Sequence, residues 1–360
     1  MKLKPSLNWL LAFVPVAVAL EKTHAAPPLV FFAAALAIVP AAHLIVESTE
    51  HIARKTGDAI GGLLNATFGN APELIIAAVA LKAGLLDMVR ASIIGAILAN
   101  LLLALGASLL VNGVKNKESD FNANAARVYG SMMLLAVISL IVPSAFGNFF
   151  TAAEHRDTVH KLNTTLALML LGSYALFLVF QIKTHQHLFM SKDKATDDAH
   201  GPGWPMPKAL GFLVGASLLA AWMSEMLVGA AEGTGEALGM SSAFIGMIIV
   251  AVVGGAAETF SAIGSARKNK LDLTMGIVFG SCIQIALFVA PALVLLSNVL
   301  APQPLDLTFG RAELGALFLA VLIGLQVSSD GKSNWFKGAQ LLAVYVMMAL
   351  MLYFMPDIAQ

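Results

Sequence analysis

The sequence predicts an all-α polytopic membrane protein, one extra N-terminal helix followed by two five-helix units of inverted topology. Three observations predict it: the apolar weight of the chain, the uneven distribution of its basic residues, and a repeat held at constant spacing. Of 360 residues, 58% are apolar and 12% charged, with a mean hydropathy of +0.80, about half the charge that a soluble domain uses. Roughly 20 residues cross the hydrocarbon core, so about eleven spans account for the apolar fraction. Backbone groups in lipid must be satisfied internally, and the alternation of a membrane barrel is absent, so the spans are expected to be helices.

Apolar runs between charge clusters place them at about 7–20, 28–46, 59–81, 91–113, 128–146, 162–182, 208–231, 243–266, 273–298, 312–328 and 338–355. Lys2 and Lys4 ahead of the run Leu7 to Leu20, with Thr23-His24-Ala25 after it, form a passable signal-peptide pattern. Pro15 interrupts that run, and the expectation is an uncleaved first span occupying 1–25. The first unit then covers 26–182 and the second 208–360. Between them lies an acidic, Gly- and Pro-bearing linker, 183–207, with His185, His187 and His200, which reads as solvated loop or as a Ca²⁺ or pH sensor.

Orientation follows from Lys and Arg. One set of loops holds sixteen of the 22 and the other holds six, which places the N-terminus in the cytoplasm and the C-terminus outside, as in a bacterial inner membrane. Lys plus Arg equal Asp plus Glu at 22 each, so the basic surplus of a nucleic-acid binder is absent. The expected surroundings are lipid. A single cysteine, Cys282, excludes an internal disulfide or a cysteine metal cage and reads as a packing residue.

Gly69-Asn70-Ala71-Pro72-Glu73 matches Gly254-Gly255-Ala256-Ala257-Glu258 at an offset of 185. The same offset pairs Glu47 with Glu232, Lys82 with Arg267, Asp87 with Asp272 and Gly95 with Gly280. A register held without a gap over that length is a repeat. The charge count makes the helices carrying Glu73 and Glu258 antiparallel, which is the inverted arrangement of secondary transporters.

A carboxylate deep in an apolar span is a functional candidate, and two at equivalent positions of inverted repeats would meet near mid-membrane. Gly69, Gly254 and Gly255 allow close backbone approach, and Pro72 is expected to free a carbonyl one turn earlier. Asn70 completes the expected ligands, with Ser92, Asn100, Ser281 and Gln284 as supporting oxygens or as hydrogen-bond glue between helices. An all-oxygen set suits a hard cation, and two carboxylates suit a divalent one; Ca²⁺ tolerates an irregular cage better than Mg²⁺. An unpaired carboxylate in an apolar interior is driven toward its protonated form, so protons and metal would compete for one site. Glu47, Glu50, Glu225 and Glu232 read as entrance acids or as interfacial charges. No cofactor is expected, and the absence of a zinc-protease motif or a Ser/His/Asp set near the pair argues against an enzyme.

The stretch Gly61-Gly62-Leu63-Leu64-Asn65-Ala66-Thr67-Phe68-Gly69-Asn70-Ala71-Pro72-Glu73-Leu74-Ile75 resembles the first signature of the Ca²⁺/H⁺ antiporter (cation exchanger) family of the Ca²⁺/cation antiporter superfamily. Gly254 to Glu258, with Gly280-Ser281-Cys282-Ile283-Gln284-Ile285, resembles the second. The resemblance covers nearly the whole chain. It implies that Glu73 and Glu258 carry Ca²⁺ and protons, with Asn70, Asn100, Ser281 and Gln284 around them, and that the proton gradient expels cytoplasmic Ca²⁺. Two departures stand out: the family's second signature usually has Asn where this chain has Gly255, and often His where it has Thr259. A Na⁺/Ca²⁺ or other monovalent cation exchanger on the same fold is the nearest rival.

Overall fold

The computed structural model describes residues 7–56, 64, 67–147, 156–189 and 203–354. Residues 57–60, parts of the first signature (61–63, 65 and 66) and most of the linker (190–202) lie outside them. The chain is helical almost throughout: α1 (Phe13–Lys22), α2 (Pro27–Thr56), α3 (Ala71–Lys82), α4 (Leu86–Asn116), α5 (Ala123–Gly147), α6 (Arg156–Val179), α7 (Met206–Gly229), α8 (Ala231–Leu238), α9 (Ser242–Gly254), α10 (Ala256–Arg267), α11 (Leu271–Leu300), α12 (Arg311–Ser328) and α13 (Trp335–Phe354). Among the described residues, eight helices are long and apolar enough to cross a membrane. The pair α8–α9, bent by 118°, adds a ninth if it is one span. The first expected span is a short 3₁₀ stretch, Leu7–Ala12, running into α1, and it falls below that length.

Two expected spans differ from continuous helices. The stretch expected at 243–266 is broken at Gly255, between α9 and α10. From Ala243 to Ala257 its residues are uniformly apolar or small, so the run carries no polar mark of the interruption. Only the second half of the span expected at 59–81 is described as a long helix, α3. Pro72 therefore sits in the first turn of α3, where an amide has no intrahelical partner anyway, and it starts the helix rather than freeing a carbonyl inside one.

Local sequence explains the boundaries. Pro27 opens α2, and Pro205 and Pro207 flank the start of α7, a favoured place for proline. The turn from α3 to α4 passes through Gly84 at φ +80°, and the turn from α10 to α11, 185 residues on, passes through Asn269 at φ +59°. Gly and Asn are the residues that visit this left-handed region most readily. Helices α3 and α10 have bounds 185 residues apart, as do the starts of α4 and α11. Each of the latter pair loosens into a π turn, Ala99–Ala104 in α4 and Ile285–Val289 in α11, a feature that gathers at functional sites.

Glycines let the central helices touch backbone to backbone. A Cβ on Gly95 of α4 would stand 2.1 Å from the Met247 carbonyl oxygen of α9, and one on Gly113 would stand 2.1 Å from the Trp335 nitrogen of α13. Polar clamps tie the bundle at both ends. At one, the Asn269 side-chain carbonyl accepts from Asn112 (2.9 Å), Asn116 (3.4 Å) and Ser119 (2.9 Å), beside a two-stranded ribbon that pairs β1 (Glu118–Asp120) antiparallel with β2 (Lys332–Asn334). At the other, Arg90 holds Asp306 (2.9 Å) and Asp87 (2.5 Å).

These contacts predict an unequal response from two glycines in one register. Gly95→Ala should lower stability by about 3 kcal/mol through overpacking, whereas a Cβ on Gly280 meets nothing within 4 Å and Gly280→Ala should melt like the parent. Thermal unfolding of the detergent-solubilised variants checks this; equal melting temperatures would contradict it.

Candidate cation site

Glu73 and Glu258 occupy the same place in their helices, the first turn of α3 and of α10. Asn70 and Gly255 are the residues immediately ahead of those turns. The positive end of a helix dipole favours a carboxylate there, so each broken span presents its acid on the end best able to keep it charged inside a bundle. Both acids are buried, at 9% and 6% exposure.

The breaks bring the two motifs into contact. A Cβ on Gly254 would lie 3.0 Å from Cγ of Glu73, and one on Gly255 would lie 3.7 Å from Glu73 Oε1 and 3.9 Å from the Asn100 amide nitrogen. The two carboxyls are near enough to repel each other electrostatically. Absence of a Cβ at Gly254 is what allows the second motif to come this close to Glu73.

Hydrogen bonds around the pair leave acceptors over. The Asn70 amide donates to Glu73 Oε1 over a long 3.5 Å, and the Asn100 amide donates to the Ala96 carbonyl of its own helix at 3.0 Å. With both amide nitrogens directed to protein acceptors, Oδ1 of Asn70 and of Asn100, Oε2 of Glu73 and both carboxylate oxygens of Glu258 are buried and meet no donor among the described residues. These five oxygens, two carboxylates and two amides, are a hard-cation set. Asn70 and Asn100 are themselves 2% and 1% exposed. Gly69 lies in the turn that leads into Asn70, and the Gly255 carbonyl accepts from the Thr259 amide within α10.

The supporting residues divide. Asn100, in the π turn of α4, lies beside Gly255 and the Glu73 carboxylate. Ser281 is buried on α11, one turn ahead of that helix's π turn. Gln284 is hydrogen-bonded to the Tyr174 hydroxyl of α6, a bond that sequence gave no means to foresee. Ser92 donates to the Val89 carbonyl at 2.8 Å, two turns ahead of Asn100 on α4.

The expected entrance acids lie at the helix ends. Glu225 pairs with Lys82 at 3.8 Å, and Glu50 with Arg54 at 4.0 Å. Glu47 is half-buried near the end of α2. Glu232 joins Glu236 and Asp87 in lining a cavity of about 380 Å³ between the α3–α4 turn and the bent pair α8–α9. Glu236 was not among the expected residues, although it stands one turn after Glu232 on the same helix.

A family model described as sodium/calcium exchanger protein matches residues 26–183 and 208–354. The chain belongs to the sodium/calcium exchanger protein family. Within this family, it is similar to a protein of Aphanothece halophytica named Ca(2+)/H(+) antiporter, 41% identical over 98% of this chain and 97% of that one. It is also similar to the Bacillus subtilis protein named Ca(2+)/H(+) antiporter ChaA, 40% identical over 94% and 96%. A solved structure of native YfkE superposes with a TM-score of 0.83 at 36% identity, covering 97% of this chain and all of that one. The resemblance drawn from the two signature stretches is thereby borne out.

Gly254→Ala tests the contact between the motifs. Its Cβ would displace the Glu73 side chain by a few tenths of an ångström, and a misplaced carboxylate should raise the KM for the transported cation about tenfold while the protein still melts as one species. An unchanged KM would show that Glu73 does not need its present position.

Proposed function

We propose that this exchanger moves cytoplasmic Ca²⁺ out against protons by alternating access, with Glu73 and Glu258 binding either the cation or the protons. The observation that carries the reading is the group of five buried oxygens that meet no donor among the described residues. Each such acceptor costs about 1–3 kcal/mol, and a buried unpaired carboxylate costs more. Among the described residues no Lys or Arg pairs with either carboxylate. One divalent cation, or a proton on each acid, relieves the cost. The empty charged site is then the state least able to cross, and that makes the exchange obligatory. The Ca(2+)/H(+) antiporter names of the relatives support the choice of ions.

Alternating access draws on two inverted units, 26–182 and 208–360, joined by the linker 183–207. The shared 185-residue spacing of α3 with α10, of Gly84 with Asn269 and of the starts of α4 and α11 supports them, and so does the break of the family match at 183 and 208. The basic residues favour a cytoplasmic N-terminus in an inner membrane. The cavity lined by Glu232, Glu236 and Asp87 then opens outward, with Glu47 and Glu50 at the cytoplasmic approach. Asn70 and Asn100 supply amide oxygens to the cation, and Ser281 lies one turn ahead of the π turn of α11.

Everted vesicles test this. Imposing a pH gradient should drive Ca²⁺ uptake without Na⁺, and Glu73→Gln and Glu258→Gln should each reduce it to background at normal expression. Normal uptake in either variant, or uptake that requires a Na⁺ gradient, contradicts the proposal.

A further inference from the structure

The two motifs match closely in backbone but not in side chain. Asn70 and Gly255 hold the same register ahead of α3 and α10, with φ/ψ of −102°/27° and −81°/15°. Neither φ is positive, so the backbone at 255 does not demand glycine. Packing does not demand it either. A Cβ there would meet the Ala251 carbonyl oxygen at 3.4 Å, Glu73 Oε1 at 3.7 Å and the Asn100 amide nitrogen at 3.9 Å, all ordinary contact distances. A Cβ on Gly254, by contrast, would stand 3.0 Å from Glu73 Cγ, so that the Glu73 side chain would have to give way.

What the missing side chain changes is the hold on Glu258. Asn70 donates to Glu73 Oε1, and among the described residues no side chain donates to either buried oxygen of Glu258. The second amide beside the pair, Asn100, also comes from the first half, and the residue 185 positions on is Ile285. Among the described residues, the two amides seen against the pair, Asn70 and Asn100, thus belong to one motif's half.

We infer that Gly255 is a positioning residue: by withholding the amide that tethers Glu73, it leaves Glu258 as the carboxylate that the cation itself draws into place. Glu73 is the fixed half of the site and Glu258 the half that closes over the ion and lets it go. This rests on the reading of the pair as cation carriers. A tethered Glu258 would bind without first being ordered and release reluctantly, so the glycine exchanges affinity for turnover.

The experiment is Ca²⁺ uptake driven by a pH gradient in vesicles carrying Gly255→Asn, Gly255→Leu or Asn70→Gly. Because 255 shares the backbone conformation of 70, its Asn can reach Glu258 as Asn70 reaches Glu73. One hydrogen bond to a charged group is worth about a tenfold change in affinity. Gly255→Asn is therefore expected to lower KM by about that factor, and Vmax with it. Gly255→Leu, with similar bulk and no donor, raises KM instead. Asn70→Gly, which removes both the tether on Glu73 and an amide oxygen of the site, raises KM. Shifts of KM in the same direction in the two Gly255 variants, or no fall in KM with Asn, overturn the inference while leaving Ca²⁺ exchange intact. If Gly255→Asn does not assemble, an unchanged KM in Asn70→Gly overturns it. A parent protein without proton-driven Ca²⁺ uptake overturns the proposed function as well.

Discussion

Two carboxylates must be kept inside an apolar bundle with no basic partner among the described residues, and the rest of the structure answers to that constraint. A continuous helix could not do it well, because its middle offers an acid neither free amides nor a dipole end. Breaking the second span at Gly255 and starting α3 at Ala71 puts each Glu in a first turn, where the helix favours its charge. Two such starts brought together make a place where negative charge is tolerated but not neutralised.

Holding those starts in contact falls to the helices around them. Close glycine contacts, Gly95 on Met247 and Gly113 on Trp335, pull α4 against α9 and α13, and the Asn269 and Arg90 clamps tie down the bundle's two ends. Between the clamps, the π turns of α4 and α11 stand level in the 185-residue register. The one in α4 presents Asn100, at the price of regular hydrogen bonding. Charges at the rims, such as Lys82 with Glu225, are exposed and contribute little to stability.

Much of this was legible in the sequence. The apolar spans and the basic residues could be read directly, and the offset of 185 reappears in the bounds of α3 and α10 and in the left-handed turns at Gly84 and Asn269. The Glu73 and Glu258 motifs, singled out by their depth and their repetition, do come into contact. The break at Gly255 was not legible, since Gly-Gly-Ala-Ala is as apolar as the helix around it and hydropathy cannot distinguish an interruption from a continuation. Side-chain direction was equally hidden: Gln284 turns to Tyr174 and Ser92 to its own helix, because which face of a helix meets which neighbour is a tertiary matter. Glu236 escaped because an exposed acid on a short helix looks like any surface charge until the cavity beside it is seen.

In the proposed exchange, metal and protons compete for the same two acids. Its most direct measurement is proton release when Ca²⁺ is added to the purified protein in weakly buffered detergent solution. A saturable release that tracks Ca²⁺ binding and is lost when both glutamates are replaced by glutamine is expected. Stoichiometric Ca²⁺ binding with no protons released would contradict it.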